Sequence, residues 1–133
     1  MHRASQFKKW HVQISDAASK MVERSNALSD DDKLEVITWA RTVQKSGPDS
    51  LRVGPGANIW KDHDLAGPWA GYGASSFSNA GRIIYRVINN AVYVVIVRLT
   101  TTHEYGPPSE SELTELNKLL IVLGSKGPKE TKR

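Results

Sequence analysis

The 133-residue sequence predicts an α+β domain in which helices pack on an antiparallel four-stranded twisted sheet, in the order β-α-α-β-β-β-α. Two apolar runs, 82–88 and 91–99, have the composition of central strands and are joined by Asn89 and Asn90, which suit a two-residue hairpin turn. Two amphipathic segments near the N-terminus predict a helical hairpin packed on one face of this sheet. A third amphipathic segment predicts a C-terminal helix.

The N-terminal part of the chain predicts one strand and then the helical hairpin. Trp10, Val12 and Ile14 alternate with polar residues, as in a half-buried strand. Ser15 is a natural N-cap for a helix that runs to roughly residue 28, and the acidic stretch 29–32 starts a second helix. The apolar stripe predicted for that second helix consists of Leu34, Ile37, Ala40 and Val43.

The middle of the chain predicts a long loop followed by three strands. Residues 46–68 are rich in Gly, Pro, Asp and Asn, with a short helical turn expected near Ile59 and Trp60. The segment WAGYGASSFS predicts a strand that its glycines weaken. The last helix begins with a capping box of Ser109 and Glu112. Its predicted stripe consists of Leu113, Leu116, Leu120 and Leu123.

Composition predicts a single domain spanning 1–133, with flexible tails at 1–8 and 125–133. Hydrophobic residues make up 39% and charged residues 24%, which is ordinary for a soluble globular protein. The chain has no cysteine, which excludes disulfides, thiolate metal sites and a cysteine nucleophile and suits a reducing cytoplasm. Neither a secretory signal nor a membrane span is expected, because the longest apolar stretch, 91–97, is too short to cross a bilayer.

Net charge is +4 at neutral pH and the sequence pI is about 9.4. This excess of basic residues is compatible with a polyanionic partner such as nucleic acid, but it does not by itself identify one. The positions of the basic residues in the fold decide whether such a partner can bind.

The two central strands place arginines among apolar residues. If Asn89 and Asn90 form the turn, Arg86 lies opposite Tyr93 and Arg82 lies opposite Val97. These residues and Ile84 then share one face, which we expect to be open to solvent and to an anionic ligand. The opposite face is almost purely apolar and is predicted to pack on the helices; it consists of Ile83, Tyr85, Val87, Val92, Val94 and Ile96.

The sequence HDLAGPWAGYGASSFSNAGRIIYRV, followed by an apolar strand and THEYG, resembles the RelE/HigB/ParE superfamily of bacterial toxins. The resemblance rests on the pattern L-x-G-x-W-x-G before a strand, on R-x-x-Y-x-V within the next strand, and on a final His-x-Tyr. It is closest from Leu65 to Tyr105 and loosely covers the fold order from Trp10 to His103.

The resemblance implies a toxin of a toxin–antitoxin system that cleaves mRNA on the ribosome, without metal or cofactor, through attack by the ribose 2′-hydroxyl. Arg82 matches the strand arginine that contacts the scissile phosphate in RelE-like members. His103 and Tyr105 resemble the histidine and tyrosine that other members use in cleavage. Histidine titrates near neutral pH and suits either proton-transfer step, while tyrosine can stack on a base. The resemblance also implies a neutralising partner, an antitoxin or immunity protein.

Four further residues are candidates for substrate binding: Arg86, Lys61, Tyr93 and Arg52. Active members of the superfamily usually carry a basic residue on the strand before the arginine strand, and Trp69–Ser78 contains none. Lys61 or Arg52, from the preceding loop, could replace it. His63 is a weaker candidate, and with Asp62 and Asp64 it makes a poor metal site, because adjacent side chains do not converge easily.

Other interpretations of the same residues remain open. The arginines could simply keep an exposed sheet face soluble, and Tyr105 could anchor the last helix by packing. Two other functions fit the superfamily: a ParE-like protein that inhibits DNA gyrase without cleaving nucleic acid, and an exported antibacterial toxin domain that cleaves tRNA.

Overall fold

The computed structural model describes residues 9–24, 27–88, 91–102 and 105–124. The predicted flexible tails, the Asn89-Asn90 turn and His103 lie outside these residues. The described residues form an α+β fold and confirm the predicted class.

The elements follow the predicted order, with one additional short strand. The strands are β1 (His11–Ile14), β2 (His63–Asp64), β3 (Gly73–Ser76), β4 (Arg82–Ile88) and β5 (Tyr93–Thr100). The α-helices are α1 (Asp16–Glu23), α2 (Asp30–Ser46), α3 (Pro55–Trp60) and α4 (Glu110–Gly124). Short 3₁₀ turns occur at Pro48–Leu51 and Gly67–Trp69.

Within the described ranges the sheet has five strands, in the order β1-β5-β4-β3-β2, not the four antiparallel strands predicted. Strands β2 to β5 pair antiparallel with their neighbours, but β1 runs parallel to β5, so the sheet is mixed. Strand β2 was missed because two residues within a polar loop carry no periodic signal; His63 pairs with Ala74 and Asp64 pairs with Gly73.

The β4–β5 hairpin differs from its predicted register. Ile88 pairs with Tyr93 and Arg86 pairs with Val95, so the connection spans residues 89–92 rather than two residues. Because the shift is two residues, every side chain here stays on its predicted face. A β-bulge lies beyond these pairs, because Tyr85 pairs with Ile96 whereas Ile84 pairs with Arg98. The predicted Arg82–Val97 pair is therefore wrong, and Arg82 lies opposite Thr100.

The predicted helix starts are confirmed. The Ser15 hydroxyl accepts a hydrogen bond from the backbone amide of Ala18 at 3.1 Å, and the Ser29 hydroxyl accepts one from that of Asp32 at 3.0 Å. Ser109 and Glu112 form the reciprocal capping box that begins α4, with the Ser109 amide 2.7 Å from Glu112 Oε1. Helix α1 ends at Glu23, earlier than predicted.

The apolar stripe predicted for α2 is wrong at two positions. Leu34 and Ile37 are 59% and 43% exposed, whereas the buried face consists of Val36, Trp39 and Val43. Residues spaced by three drift by roughly 60° per step around an α-helix, so Leu34 and Val43 lie on nearly opposite sides. In α4, Leu116 is buried as predicted, but Leu113 is 40% exposed.

Two apolar clusters lie on opposite faces of the sheet. The larger cluster packs the helical hairpin on Ile83, Tyr85, Val94 and Ile96, which confirms that this face is covered by helices. The second cluster includes Ile84, Val95, Val97, Trp69 and Tyr72 and is covered by Leu116 of α4. The face predicted to be open is therefore covered at its centre, and an anion site can lie only at its margins.

Candidate functional site

Arg82 is the first residue of β4 and lies at the margin of the sheet. Its Nη1 donates to the carbonyl oxygens of Gly81 at 2.9 Å and Asn79 at 3.1 Å, with that of Ser78 more distant at 3.4 Å. The turn before β4 thus fixes the direction of the guanidinium. These three acceptors are neutral backbone carbonyl groups, and all of them engage Nη1.

Lys61 lines the same open depression as Arg82. Most of the remaining lining consists of Glu35, Ile59, Ser76, Phe77 and Asn79. Lys61 is exposed, follows the last residue of α3, and has a left-handed backbone with φ +48°. The structure therefore brings together two of the predicted site residues and provides, from the loop, a basic residue beside Arg82 that β3 lacks. Glu35 contributes a carboxylate to the rim of the depression.

Arg52 lies in a different environment, because two carboxylates hold its guanidinium. Its Nε donates to Asp62 at 2.6 Å and its Nη2 donates to Asp64 at 2.7 Å. Hydrogen bonds to Asp64 and Asp62 raise the pKa of Arg52, and the same guanidinium lowers the pKa of Asp64. A substrate phosphate would have to displace these partners, so Arg52 serves the loop in this structure.

Asp62 is the centre of a buried polar network. Its side chain is fully buried and accepts hydrogen bonds from the hydroxyls of Tyr85, at 2.6 Å, and Ser75, at 2.5 Å. Burial and the adjacent Asp62 carboxylate raise the pKa of Tyr85 far above its usual range, so the phenol stays protonated and donates. No sequence pattern indicated this network, because its members become neighbours only when the loop folds onto β3 and β4.

Arg86 and Tyr93 lie elsewhere on the sheet. The Arg86 guanidinium carbon is 5.1 Å from the centre of the Tyr72 ring, a cation–π contact. Tyr93 stacks on His11 at 5.2 Å and donates to the Gln13 side chain at 3.2 Å, at the β1 edge. Among the described residues that line the depression around Arg82, neither Arg86 nor Tyr93 is present.

Tyr105 packs where β5 leads into α4. Its ring meets Trp69 edge to face with centroids 6.2 Å apart, and its carbonyl oxygen accepts a hydrogen bond from Arg98. The Trp69 indole donates to the Gly106 carbonyl at 2.6 Å. Tyr105 thus belongs to the second cluster, while its predicted companion His103 is outside the described residues. His63 is exposed, with Nδ1 3.2 Å from the Lys61 carbonyl oxygen.

Arg98, the arginine within β5, was missed by the sequence analysis although its guanidinium is held by several groups. Its guanidinium forms a bidentate pair with Glu112, at 2.6 and 2.8 Å, and lies 5.0 Å from the Trp69 ring centre. The bulge in β5 places Arg98 beside Val97, toward α4. The sequence did contain a signal for this pair. An arginine inside an apolar strand needs an acidic partner, and Glu112 was a candidate because the capping box fixes it at the start of the helix that follows β5.

The described residues contain no group of three or more His, Asp or Glu side chains that could hold a metal ion. Within the same part of the chain, no helix has the length and apolar character needed to cross a membrane.

No protein-family model and no curated protein matches the chain. Solved structures do match. A YoeB/ParE toxin from Agrobacterium tumefaciens superposes with a TM-score of 0.56 at 15% identity, over 71% of this chain and 99% of that one. A YafQ mutant from E. coli superposes with a TM-score of 0.54 at 19% identity, over 71% of this chain and 96% of that one. A chain of the RelBE2 toxin–antitoxin complex from Mycobacterium tuberculosis superposes with a TM-score of 0.52 at 19% identity, over 71% of this chain and 99% of that one. The chain therefore has the fold of YoeB/ParE-, YafQ- and RelE-type toxins, which confirms at the level of fold the resemblance found in its sequence.

Proposed function

We propose that this chain is a RelE-superfamily toxin that inhibits translation and growth in the cytoplasm by cutting ribosome-bound mRNA, as a metal-independent endoribonuclease. The observation that carries the proposal is that Lys61 and Arg82 line one open depression in a domain with this toxin fold. Two cations that line one depression suit a phosphodiester, because its transition state carries additional negative charge. An open depression also suits a polymer better than a small molecule, which concave pockets enclose.

In the proposed reaction the ribose 2′-oxygen attacks the adjacent phosphorus, and the bond from phosphorus to the 5′-oxygen breaks. One fragment keeps a 2′,3′-cyclic phosphate and the other a 5′-hydroxyl. Arg82 holds a non-bridging oxygen, for which a guanidinium is suited because it stays charged and can bind in two places. Lys61 adds a second charge. His103 takes the proton of the 2′-hydroxyl or gives a proton to the leaving 5′-oxygen, and solvent water carries out the other of these two transfers.

The remaining predicted residues take supporting roles in this proposal. Arg86, oriented over the Tyr72 ring, suits a flanking phosphate further along β4. The packing of Tyr105 on Trp69 favours a supporting role at the start of the segment before α4, and stacking on an RNA base, over proton transfer.

The test is to incubate the purified chain with ribosomes programmed with a defined mRNA and to map the new 5′ ends. Wild-type protein should produce discrete cuts, and Arg82→Ala should lower the cleavage rate by about 100-fold or more, the usual effect of removing one donor to a developing oxyanion. Arg41→Ala is the matched control, since Arg41 is an exposed arginine on α2 outside the depression.

The two variants should unfold at the same temperature as the wild type within a few degrees, which separates loss of chemistry from loss of fold. Absence of cuts with the wild-type chain would overturn the proposal. Equal cleavage by wild type and Arg82→Ala would overturn the assignment of the site.

A second candidate is a ParE-like toxin that inhibits DNA gyrase without cutting RNA. It is favoured by one specific feature: β3 reads GASS and brings no cation to the sheet beside β4. Gyrase inhibition predicts loss of DNA supercoiling in the presence of the chain, together with an intact mRNA in the ribosome assay.

We also propose that a cognate antitoxin binds this chain and suppresses its activity. The proposal is supported by the fold match to the RelBE2 toxin–antitoxin complex. Such an antitoxin, supplied in the cleavage assay, should prevent the cuts made by the wild-type chain.

A further inference from the structure

Asp62 ties the loop that carries Lys61 to Arg52 earlier in the same loop and to strands β3 and β4. Its carboxylate accepts hydrogen bonds from Arg52 Nε at 2.6 Å, from Ser75 of β3 at 2.5 Å and from Tyr85 of β4 at 2.6 Å. Ser75 in turn accepts the indole N–H of Trp39, in α2, at 2.8 Å. Asp62 is fully buried at its side chain, so it cannot touch an RNA substrate.

Lys61, the residue before Asp62, has the left-handed backbone that non-glycine residues rarely adopt. Such a conformation persists only where the surrounding structure enforces it, and it is common at functional sites. Here two buried anchors enforce it from either side: Trp60, which is 4% exposed in the first cluster, and Asp62 with its three donors. The side chain of Lys61 itself is exposed and lines the depression of Arg82.

We propose that Asp62 is a positioning residue that holds Lys61 beside Arg82, so that the two cations bind one RNA phosphate or two adjacent ones. The inference rests on the proposed function and explains how a chain with no basic residue on β3 keeps a second cation at the site. The strand supplies Ser75 instead, which secures the carboxylate that in turn fixes the lysine.

The test compares Asp62→Asn, Lys61→Ala and the double variant for affinity toward a short single-stranded RNA whose 2′-hydroxyls are methylated to prevent cleavage. Asp62→Asn keeps the shape of the side chain but weakens its acceptance of three hydrogen bonds. Lys61→Ala should raise Kd by about 5- to 10-fold, and Asp62→Asn should raise it by a similar factor. In the Lys61→Ala background, Asp62→Asn should change Kd by less than about 2-fold, because both act through one cation.

Asp49→Asn is the matched control, since Asp49 is an exposed aspartate of the same loop and its loss changes net charge equally. Removing an acidic residue should by itself strengthen RNA binding, so weaker binding by Asp62→Asn alone points to displacement of Lys61. Tyr85→Phe supplies a second route if Asp62→Asn does not fold: it keeps the core ring, removes one donor to Asp62, and should raise Kd in the same direction.

The outcomes separate the inference from the function on which it rests. Independent, multiplicative effects of Asp62→Asn and Lys61→Ala would overturn the positioning role while leaving the RNA site in place. The predicted coupling in binding, with no cleavage by the wild type in the ribosome assay, would uphold the inference and overturn the nuclease. No RNA binding by the wild-type chain would overturn both.

Discussion

At the scale of single residues, the clearest feature is that charged side chains of this chain are paired according to where the fold brings them, not according to their neighbours in sequence. Glu112 shows this well. It was predicted as the N3 residue of a capping box, and it does accept the Ser109 amide, but its carboxylate also holds Arg98 of β5 in a bidentate pair. One carboxylate thus begins α4 and attaches it to the sheet.

This pairing makes the stability of the chain sensitive to acid. Burial disfavours the ionised form of Glu112, but hydrogen bonds from Arg98 and the Ser109 amide outweigh burial and hold the pKa of Glu112 below its usual range. A carboxyl with a lower pKa in the folded state stabilises the fold above its unfolded pKa of about 4.3, and this stabilisation is lost as pH falls through the folded value. We expect the free energy of unfolding to drop below about pH 4.3 in the wild type and less steeply in Glu112→Gln.

At neutral pH, Glu112→Gln should cost about 1.5–3 kcal/mol, the range for hydrogen bonds to charged groups. Glu110→Gln, an exposed carboxylate in the same first turn, should stay within about 0.5 kcal/mol of wild type. Urea unfolding curves between about pH 3 and about pH 7 measure both effects. Parallel pH profiles for wild type and Glu112→Gln would contradict the assignment.

At the scale of elements, the sequence predicted helices and strands well and their rotations and registers less well. Serine caps and alternating apolar residues are local signals, so the starts of the helices and the central strands are confirmed. The stripe of α2 was wrong because Trp39, not Leu34 or Ile37, decides which side of the helix faces the sheet: its ring lies 5.2 Å from that of Tyr85, and its indole reaches Ser75. That choice depends on β3 and β4, which no local pattern of α2 contains.

The covering of the second cluster by α4 gives an element-scale prediction. Leu116 is 5% exposed and packs with Val95 and Val97, so Leu116→Ala should lower the free energy of unfolding by about 2–5 kcal/mol. Ile121→Ala removes a comparable aliphatic side chain from the same helix, at a site that is 72% exposed. This substitution should change the free energy of unfolding by no more than about 0.5 kcal/mol. Chemical denaturation of the two variants measures the difference, and equal effects would mean that α4 does not cover this cluster in solution.

At the scale of the whole molecule, only part of the candidate site could be predicted from sequence. Arg82 and Lys61 were both candidates, and the structure places them in one depression because the 46–64 loop folds back onto β3. Arg52 was an equally good candidate by composition, yet Asp62 and Asp64 engage it across ten and twelve residues of chain. The pairing of Arg52 with two carboxylates therefore could not be inferred from composition, because it forms only when the loop folds.

Net charge is only +4, so the proposed RNA binding should depend on a few placed cations rather than on a diffuse basic surface. For single-stranded RNA, the logarithm of affinity falls with the logarithm of salt concentration with a slope of about −0.7 per phosphate neutralised. Lys61→Ala and Arg82→Ala should therefore each reduce the magnitude of the slope by about 0.7, and the double variant by about 1.4.

Arg41→Ala should leave the slope unchanged, although it lowers net charge by the same amount as either single variant. Titrations of the methylated RNA at KCl concentrations from about 50 to about 300 mM measure the slopes of the wild type and of the four variants. If the slope were reduced equally in Arg41→Ala, any surface cation would contribute to RNA binding. The affinity would then depend on the net charge of the molecule and not on the depression. A slope that responds only to Lys61 and Arg82 ties the affinity to the depression, because only cations that contact phosphate release counterions.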